Sequence, residues 1–372
     1  MVRSKSALVI GPGARFISGI SYYTVALSKA LSHHTDVSIL LIRKLCPEVI
    51  YPGRDRIGKY SSKDIGIPEV PFQESLDWYW GLGIFKSIKF IKRQKPDYII
   101  LQWWTGTVLH TYSLIALIAK LLRIKIILEF HESIEVSEKK ILPVKWYIQA
   151  GMWMLSRAST SGVVHSKHDQ HRIGEDLPIK NLPLTVIHHG PYELAQVEVT
   201  KKPSDLIRLT YFGVIRPYKG TDELVDAFAQ LLETNQKIHL TIAGEVWQNY
   251  SDALERAKRL PSEHVTVIPK YLDDEDVATL FANTDIIVLP YRRSSASGPL
   301  HLAMAAGLPI VTTNIPALVE VTQEYGGVRY AEPENSDSLA QSIEEALPLV
   351  GTQYEDPHSW ENVSRRFLEI MN

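Results

Sequence analysis

The stretch Tyr-Phe-Gly-Val-Ile-Arg-Pro-Tyr-Lys-Gly, residues 211–220, decides the fold of this chain. It ends a run of β-branched and aromatic residues, which is typical of a buried strand. Gly213 permits a close turn after that strand, and Thr221 is in position to cap the helix that follows. Arg216 and Lys219 therefore come after the carboxyl end of a strand, where open α/β sheets bind their ligands. We predict an anion site at these two cations.

Short apolar runs alternate with helical stretches on both sides of this motif. Runs that we interpret as strands occupy residues 7–10, 37–42, 98–101, 124–130, 161–165 and 185–188 before it, and residues 239–243, 265–268, 286–289 and 310–313 after it. This alternation predicts parallel, doubly wound α/β sheets. Because single cores rarely exceed roughly 250–300 residues, a chain of 372 residues is expected to form two domains.

The composition excludes several classes of protein. Hydrophobic residues make up 45% and charged residues 22% of the chain, which fits a soluble globular protein. The single cysteine, Cys46, excludes an internal disulfide and a multi-cysteine metal site, and it favours a reducing, cytoplasmic setting. The first apolar run stops at Gly-Pro-Gly, residues 11–13, so we interpret it as a strand and not as a signal peptide.

Charge is unevenly distributed along the chain. Residues 1–190 hold 25 Lys plus Arg against 15 Asp plus Glu, whereas residues 191–372 hold 15 against 27. A basic half beside an acidic half predicts that one domain meets an anionic surface. A nucleic-acid partner is not expected, because the whole chain is near neutral and carries no recognised nucleic-acid motif.

An anionic membrane is one surface that the basic half predicts. Residues 47–80 lack periodicity and are expected to line a binding face, which ends in an aromatic cluster at 78–80. Residues 85–95 follow as a helix whose basic side chains recur at helical spacing, namely Lys86, Lys89, Lys92 and Arg93. A basic amphipathic helix beside aromatic residues suits an anionic bilayer. A solvated helix face is the alternative.

Two features of the first half are candidate ligand contacts. His131 lies between Glu129 and Glu132 at a predicted strand end, so it can bond a sugar hydroxyl or shuttle a proton; a structural histidine is the alternative. The glycine-rich loop at 11–19 can admit a phosphate or simply pack on its own helix. It is not a dinucleotide fingerprint, because Phe16 stands where that motif needs glycine, which disfavours a dehydrogenase.

No metal site is predicted. Histidines are frequent between residues 165 and 189, but H-E-x-x-H is absent and we find no zinc ligand set. Asp274 and Asp276 form a D-x-D pattern, which in another context holds a divalent metal for a nucleotide. Because these acids open a helix, N-capping and the helix dipole explain them better.

A second anion site is predicted where Ser297–Leu300 opens a helix. Pro299 suits the first turn of that helix, and backbone amides at a helix start bind anions. The helix follows another predicted strand end, so its amides are expected to face the same crevice as Arg216 and Lys219. Two anion sites in one crevice indicate a diphosphate ligand.

These residues resemble family 4 of the retaining, nucleotide-sugar-dependent glycosyltransferases (GT4). The resemblance is carried by FGVIRPYKG at 212–220, VLPY at 288–291, SGPL at 297–300, AMAAGLP at 303–309, and Trp360 with Glu361. It implies the B-type (GT-B) fold, an α/β architecture of two Rossmann-like, doubly wound parallel-sheet domains that face a central cleft. The implied division is an N-terminal acceptor-side domain at 1–190, a linker at 191–205, a C-terminal nucleotide-sugar-binding domain at 206–350, and a C-terminal helix at 351–372 that returns to the first domain.

The resemblance implies a role for each motif. Lys219 and Arg216 would bind the donor diphosphate and stabilise the leaving nucleotide, and His131 would lie near the transferred sugar. The other implied donor contacts are Gly244 and Tyr271 near the base, Gly19 approaching the diphosphate from the first domain, and the helix start of Ser297, Gly298, Pro299 and Leu300. The donor would be a nucleotide diphosphate sugar, with neither a cofactor nor a metal ion.

The chain departs from the family pattern in two places. Val214 stands where the family has an arginine, with Arg216 as its replacement from two residues on. The family's two glutamates, eight positions apart, fall at Ser294 and Leu302, so neither carboxylate is present. A branch with Ser-Gly in this loop resembles the present chain and is regarded as enzymatic, so we do not infer loss of activity.

The expected activity is transfer of a sugar, with retention at the anomeric carbon, to an acceptor hydroxyl. The expected setting is polysaccharide or glycolipid synthesis, with a glycan or lipid-linked acceptor at the inner, cytoplasmic face of a membrane. The alternative is a non-catalytic protein of the same fold that binds sugar nucleotides or scaffolds a membrane complex. An epimerase on this fold would need acid and base carboxylates that the sequence does not place.

Overall fold

The structure is a computed structural model that describes residues 5–13, 19–44, 66–132, 142–192, 205–247, 250–293 and 297–372. The chain divides into two compact units. The first unit comprises Met1–Gly190 together with Ser359–Asn372, and the second comprises Pro191–His358. Most of the linker predicted at 191–205 lies outside the described residues.

The described part of the first unit is built on a seven-stranded parallel sheet. Its strands are β1 (Ala7–Pro12), β2 (Val37–Lys44), β3 (Phe72–Asp77), β4 (Tyr98–Trp103), β5 (Lys125–Phe130), β6 (Ser161–Val164) and β7 (Leu184–Val186). They lie in the order β3-β2-β1-β4-β5-β6-β7, and every pairing is parallel. All residues of β1 and β4 are buried, as expected of parallel strands that are covered on both faces.

Helices connect the strands of this first sheet. They are α1 (Gly19–Ser32), α2 (Gly83–Gln94), α3 (Leu109–Leu121), α4 (Leu142–Ala158) and α5 (Lys167–Asp176). Helix α1 buries Tyr23, Leu27 and Leu31 in one apolar cluster with Val9 of β1. Among the described residues, no helix combines the length and the apolar character that crossing a membrane requires.

The described part of the second unit is built on a six-stranded parallel sheet. Its strands are β8 (Ile207–Phe212), β9 (Ile238–Ala243), β10 (Val265–Ile268), β11 (Ile286–Leu289), β12 (Ile310–Thr313) and β13 (Val328–Ala331), in the order β10-β9-β8-β11-β12-β13. Its helices are α6 (Thr221–Thr234), α7 (Asp252–Ala257), α8 (Asp274–Ala282), α9 (Gly298–Ala305), α10 (Pro316–Thr322) and α11 (Ser336–Ala346). The last helix, α12 (Trp360–Met371), belongs to the first unit and buries Phe367 in the same cluster as Tyr23. The prediction of two parallel-sheet α/β domains is confirmed.

The structure tests three local predictions, which concern the cap of α6, the segment 47–80 and the acids at the start of α8. Helix α6 begins at Thr221 itself and Gly220 occupies the cap position with φ of 71°, so the prediction that Thr221 caps this helix is wrong. No strand was expected within 47–80, yet 72–77 form β3, an edge strand of mixed polarity whose first half is exposed or half-buried. The Asp273 side chain accepts a hydrogen bond from the Asp276 amide at 2.9 Å, so the capping explanation of the D-x-D pattern is confirmed.

Candidate functional site

The predicted donor residues of the second unit follow neighbouring strands of its sheet. Tyr271 follows β10, Gly244 follows β9, Arg216 and Lys219 follow β8, and Ser297, Gly298, Pro299 and Leu300 follow β11. These four strands are adjacent and parallel, so their carboxyl ends meet at one edge of the sheet. The structure therefore brings these residues to the edge where α/β sheets bind ligands.

Two glycines allow the loops after β8 and β9 to touch. Gly213 has φ of 138° and Gly244 has φ of 151°, backbone conformations that favour glycine. A Cβ atom on Gly244 would lie 1.8 Å from the carbonyl oxygen of Gly213. Any side chain at Gly244 would therefore push apart the two loops that carry Arg216 and the predicted base contacts.

Lys219 lies in a short 3-10 turn, Pro217–Lys219, that its own amide closes by donating to the Arg216 carbonyl at 2.9 Å. Its ammonium nitrogen is 3.5 Å from the ring centroid of Tyr291, a cation–π contact. Burial, and then the charge of Arg216, lower the pKa of Lys219 to about 7. Within the part of the chain that the structure describes, no carboxylate pairs with Lys219. The cation is thus held in place without a counter-charge.

Arg216 is oriented by an aromatic ring. Its guanidinium carbon lies 3.9 Å from the ring centroid of Trp247, and the indole Nε1 of Trp247 donates to Glu245 at 2.8 Å. The Nε atom of Arg216 is buried and has no hydrogen-bond partner among the described residues. An unsatisfied buried donor costs about 1–3 kcal/mol. An oxygen-bearing anion at this position would remove that cost.

The start of α9 offers fewer free amides than the sequence predicts. Ser297 caps this helix, and the Leu300 amide donates to the Ser297 hydroxyl at 3.2 Å. Pro299 has no amide hydrogen. The expectation that the Leu300 amide binds phosphate therefore needs correction, because that donor is already used within the helix cap. Gly298 and Ser297 are the amides of this turn that remain for a ligand.

Tyr291 links the two predicted anion sites, and the sequence analysis did not assign it a role. Its ring lies under the ammonium of Lys219, and its hydroxyl is 3.2 Å from the hydroxyl of Ser297. A Cβ atom on Gly213 would lie 3.3 Å from Pro299 Cγ and 4.0 Å from the Tyr291 hydroxyl. The loop after β8 and the start of α9 therefore meet at this tyrosine. Its place directly after the β11 strand end was the available signal.

His131 follows β5 in the first unit and is gathered with other histidines around one tyrosine. Its side chain is 6% exposed, and its ring centroid is 4.6 Å from that of Tyr23 in α1. The Tyr23 ring also contacts His165, which follows β6, at 5.3 Å and His189, which follows β7, at 4.3 Å. The sequence analysis singled out His131 but did not connect it with these two histidines.

Glu129 is fully buried beside this cluster. Its Oε1 accepts a hydrogen bond from the Tyr23 hydroxyl at 2.6 Å, and its Oε2 accepts one from Gln102 at 3.1 Å. Burial raises the pKa of Glu129 to about 7, although both hydrogen bonds oppose the rise. Burial also lowers the pKa of His131 well below its ordinary value and that of His165 to about 4. Both rings are therefore neutral at neutral pH.

Two further predictions for the first unit concern Gly19 and Glu132. Gly19 is the first residue of α1, but residues 14–18 of the predicted phosphate loop lie outside the described residues, so its diphosphate contact stays a prediction. Glu132, which was grouped with His131, forms an ion pair with Arg172 instead. Ser294, one of the two positions without the expected glutamate, also lies outside the described residues.

The basic helix predicted at 85–95 corresponds to α2, and a second helix extends its surface. Lys86, Lys89, Lys92 and Arg93 are exposed on α2, and Phe85 is 68% exposed beside them. Helix α4 exposes Trp146 by 73% and Trp153 by 49%. We call these side chains the aromatic–basic surface. A helical stretch was predicted between the strands at 124–130 and 161–165, but its exposed tryptophans, which a seven-residue spacing places on one helix face, were not identified.

Hydrogen bonds tie the helices of this surface together. The Trp80 indole donates to the His110 carbonyl at 3.3 Å, just before α2 and at the start of α3. The His110 amide in turn donates to the Tyr147 hydroxyl of α4 at 3.1 Å. The aromatic residues before α2 and on α4 therefore lie on one side of the first unit.

Comparison with known proteins finds relatives that cover part of the chain. Residues 194–366 match the family model described as glycosyl transferases group 1. Among curated proteins, the chain is similar to the GDP-mannose:glycolipid 4-beta-D-mannosyltransferase of Xanthomonas campestris pv. campestris, with 24% identity over 155 residues, which are 42% of this chain and 44% of that one. The chain thus spans about half the length or less of such curated relatives.

Solved structures resemble the chain over nearly its whole length. A glycosyltransferase from Rickettsia africae ESF-5 aligns with a TM-score of 0.66 and 17% identity, covering 99% of this chain and 98% of that one. Anabaena HepE, in complex with UDP and glucose, aligns with a TM-score of 0.61 and 14% identity, covering 98% and 95%. At these identities the likeness establishes the fold alone. The fold is GT-B, as the sequence predicted.

Proposed function

We propose that this chain is a glycosyltransferase that moves a sugar from a nucleotide diphosphate sugar to an acceptor hydroxyl, with retention at the anomeric carbon. The observation that carries the proposal is the pair of cations after β8. Lys219 rests on Tyr291 and Arg216 on Trp247, and neither cation pairs with a carboxylate among the described residues. The match of residues 194–366 to the group 1 glycosyl transferases supports the same assignment.

The two cations suit the charge that develops when a diphosphate leaves. In the proposed step the bond between the anomeric carbon and the diphosphate oxygen breaks, and negative charge grows on the leaving phosphate. Preorganised donors aimed at developing charge are a large source of rate enhancement in enzymes. Arg216 and Lys219, with the amides of Ser297 and Gly298, would supply these donors.

Retention is proposed to occur on the front face of the sugar. The acceptor oxygen forms its bond to the anomeric carbon on the side from which the diphosphate leaves, and the acceptor proton passes to the leaving phosphate oxygen. This step needs no protein nucleophile. It therefore suits a chain in which Leu302 occupies one of the two positions where the family has a glutamate.

We also propose that the donor is held without a metal ion. Both acids of the D-x-D pattern lie in the first turn of α8, which Asp273 caps, and the Asp276 carboxylate pairs with Lys270 at 3.5 Å. Arg216 and Lys219 already provide positive charge at the edge where the diphosphate would lie. No cofactor is needed for the proposed step, because the nucleotide diphosphate is the leaving group of the donor itself.

The experiment that tests this function is nucleotide release from a panel of nucleotide sugars. The purified chain should be stabilised in a thermal-shift assay by one class of donor and should slowly release free nucleotide from it. The second candidate is a non-catalytic sugar-nucleotide-binding or membrane-scaffold protein, favoured by the missing carboxylate at Leu302. Stabilisation by donors without nucleotide release, in the presence of glycan and lipid-linked acceptors, would establish that alternative.

Diphosphate binding should be coupled to proton uptake by Lys219. Because its pKa is lowered to about 7, Lys219 is largely neutral in the free protein at about pH 8. A bound diphosphate favours the ammonium form and raises this pKa, so binding should take up to about one proton and weaken as pH rises above about 7. Isothermal titration with UDP or GDP in buffers of different ionisation enthalpy measures the uptake. A heat that is the same in all buffers would contradict the prediction.

We propose that the acceptor is a glycan or lipid-linked sugar at the inner, cytoplasmic face of a membrane. The aromatic–basic surface supports this, because exposed Trp146, Trp153 and Phe85 lie on helices that also carry basic side chains. Aromatic residues favour the headgroup region, and lysines favour anionic lipid. Similarity to a mannosyltransferase that acts on a glycolipid points the same way.

Replacing Trp146 and Trp153 with serine should weaken binding to phosphatidylglycerol vesicles by about tenfold or more, because the two rings would lose their burial in the bilayer. Vesicle flotation at low and high salt measures the effect, and salt should weaken the unmodified protein's binding. Tyr330→Ser is the control, since Tyr330 is 36% exposed in the second unit. Flotation that responds neither to salt nor to the tryptophan changes would exclude this surface as a membrane contact.

A further inference from the structure

The carboxyl ends of β5 and β6 bring three metal-ligating side chains together. The Nε2 of His131 is 3.8 Å from Glu129 Oε2, and the Nε2 of His165 is 4.0 Å from Glu129 Oε1. One ligand atom from each residue lies within 4.8 Å of the other two. None of the three side chains is more than 6% exposed. The cluster is therefore compact and largely shielded from water.

The tautomer of His165 leaves its Nε2 atom without a hydrogen-bond donor among the described residues. Its Nδ1 lies 3.0 Å from the Ile187 carbonyl oxygen. A carbonyl oxygen only accepts, so Nδ1 carries the hydrogen and Nε2 of the neutral ring presents a lone pair. That lone pair faces a Glu129 oxygen at 4.0 Å, a separation too long for a hydrogen bond. The Nε2 of His165 and the ionised form of the Glu129 carboxyl are both acceptors, and they face each other across this gap.

His131 shows the same lack of a partner. The Nε2 atoms of His131 and His165 are both buried, and neither has a hydrogen-bond partner among the described residues. Buried polar atoms of folded proteins are almost always satisfied. A cation bound between the two rings and the carboxylate would satisfy both histidine nitrogens at once.

We propose that Glu129, His131 and His165 bind one Zn²⁺ ion. Zinc bonds to histidine nitrogen and carboxylate oxygen of about 2.0–2.2 Å place tetrahedral ligand atoms about 3.4 Å apart. The observed separations of 3.8 and 4.0 Å reach different oxygens of Glu129, and the ligand atoms lie within 4.8 Å of one another, so the side chains would have to move closer by up to about 1.4 Å to reach this spacing. Two histidines and one glutamate leave a fourth position for a water molecule. The ion would lie in the first unit, whereas Arg216 and Lys219, which are proposed to hold the donor diphosphate, belong to the second unit.

The groups behind two of the three ligands, His165 and Glu129, match those that support metal sites. Ligating histidines usually donate their other ring N–H to a carbonyl, as His165 does to Ile187, and ligating carboxylates are themselves hydrogen-bonded. Glu129 accepts from Tyr23 on one oxygen and from Gln102 on the other. The sequence contains no zinc motif at this site because the ligands come from the ends of two different strands. The inference does not rest on the proposed transferase activity.

Metal analysis of the full chain tests the site directly. The chain is stripped with a chelator, titrated with Zn²⁺ alone, passed through gel filtration and analysed by plasma mass spectrometry. We expect about one Zn²⁺ per chain, a higher melting temperature with zinc, and reversal by the chelator. Co²⁺ in place of Zn²⁺ should give the visible bands of a tetrahedral site, a readout that needs no variant.

Variants assign the metal to these residues. The double change His131→Ala with His165→Ala should abolish the bound equivalent, and Tyr23→Phe should weaken Zn²⁺ affinity by about 10–100-fold while all three ligands remain. His264→Ala is the matched control, because His264 is a buried histidine whose Nδ1 also lies near a carbonyl, that of Ile238 at 2.8 Å. It should retain the full equivalent. Zinc binding that the double variant leaves intact would place the ion elsewhere, and the absence of both bound zinc and cobalt bands would show that the cluster binds no metal. Either result would overturn the proposal.

Discussion

Replacing Lys219 with methionine should lower the rate of sugar transfer by about 10²–10³-fold, the effect of removing one preorganised donor from developing charge. Methionine keeps an unbranched apolar chain against the Tyr291 ring, so packing is largely preserved while the ammonium is lost. The melting temperature should therefore change little compared with the rate. Steady-state release of nucleotide from the preferred donor, with acceptor present, measures the effect.

Lys270→Met is the matched control for this experiment. Lys270 follows β10 at the same edge of the sheet, and its side chain is 65% exposed and pairs with Asp276 at 3.5 Å. Losing this cation removes the same formal charge but no predicted contact with the diphosphate, so the rate should stay within about twofold, as for a surface ion pair. Near-normal turnover in Lys219→Met would remove the main support for the proposed function.

Replacing Gly220 with alanine should destabilise the second unit by at least about 3 kcal/mol, near the upper end of single-residue effects. Gly220 has φ of 71°, and a Cβ atom there would lie 1.7 Å from the backbone oxygen of Pro290. A backbone atom cannot move aside as a flexible side chain can, so the turn that holds Lys219 would have to shift. Hydrogen exchange of peptides from β8 and β11 reports on this unit by itself.

Gly351→Ala separates backbone strain from this steric overlap. Gly351 also has a positive φ, 87°, but a Cβ atom there would meet nothing within 4 Å. Its substitution should cost only the left-handed backbone penalty, about 1–2 kcal/mol. Equal losses of protection in the two variants would show that the overlap between a Cβ atom at position 220 and the Pro290 oxygen adds nothing to the cost of the left-handed backbone.

The donor side of the candidate site was largely predictable because its signals are local in sequence. A strand followed by glycine and two cations predicts where Arg216 and Lys219 lie, since the carboxyl ends of parallel strands meet at one edge. The start of α9 was predictable for the same reason. Two details were not predictable. The Leu300 amide donates to the Ser297 hydroxyl, and Tyr291 contacts both predicted anion sites across the loop after β11.

The residue cluster of the first unit was not predictable in this way, because its members are far apart in the sequence. His131 was visible in the sequence, but Glu129 and His165 join it only because β5 and β6 are neighbours in the sheet. No spacing rule connects residues on separate strands, and Tyr23 reaches them from α1. The exposed face of α4 was missed because a sequence does not show which side of a helix the core leaves uncovered.

The sequence by itself determined the two parallel-sheet domains and identified Arg216 and Lys219 as the cations that we propose to bind the diphosphate. Hydrophobic periodicity and turn residues act over a few positions, so they can be read without knowing the fold. Only the tertiary structure decided that Arg216 and Lys219 lie against aromatic rings, with no carboxylate paired to them in the part of the chain that the structure describes, and that two histidines face a buried carboxylate. These features depend on burial and on contacts between distant strands, and burial is what changes the hydrogen-bonding and pKa of such groups.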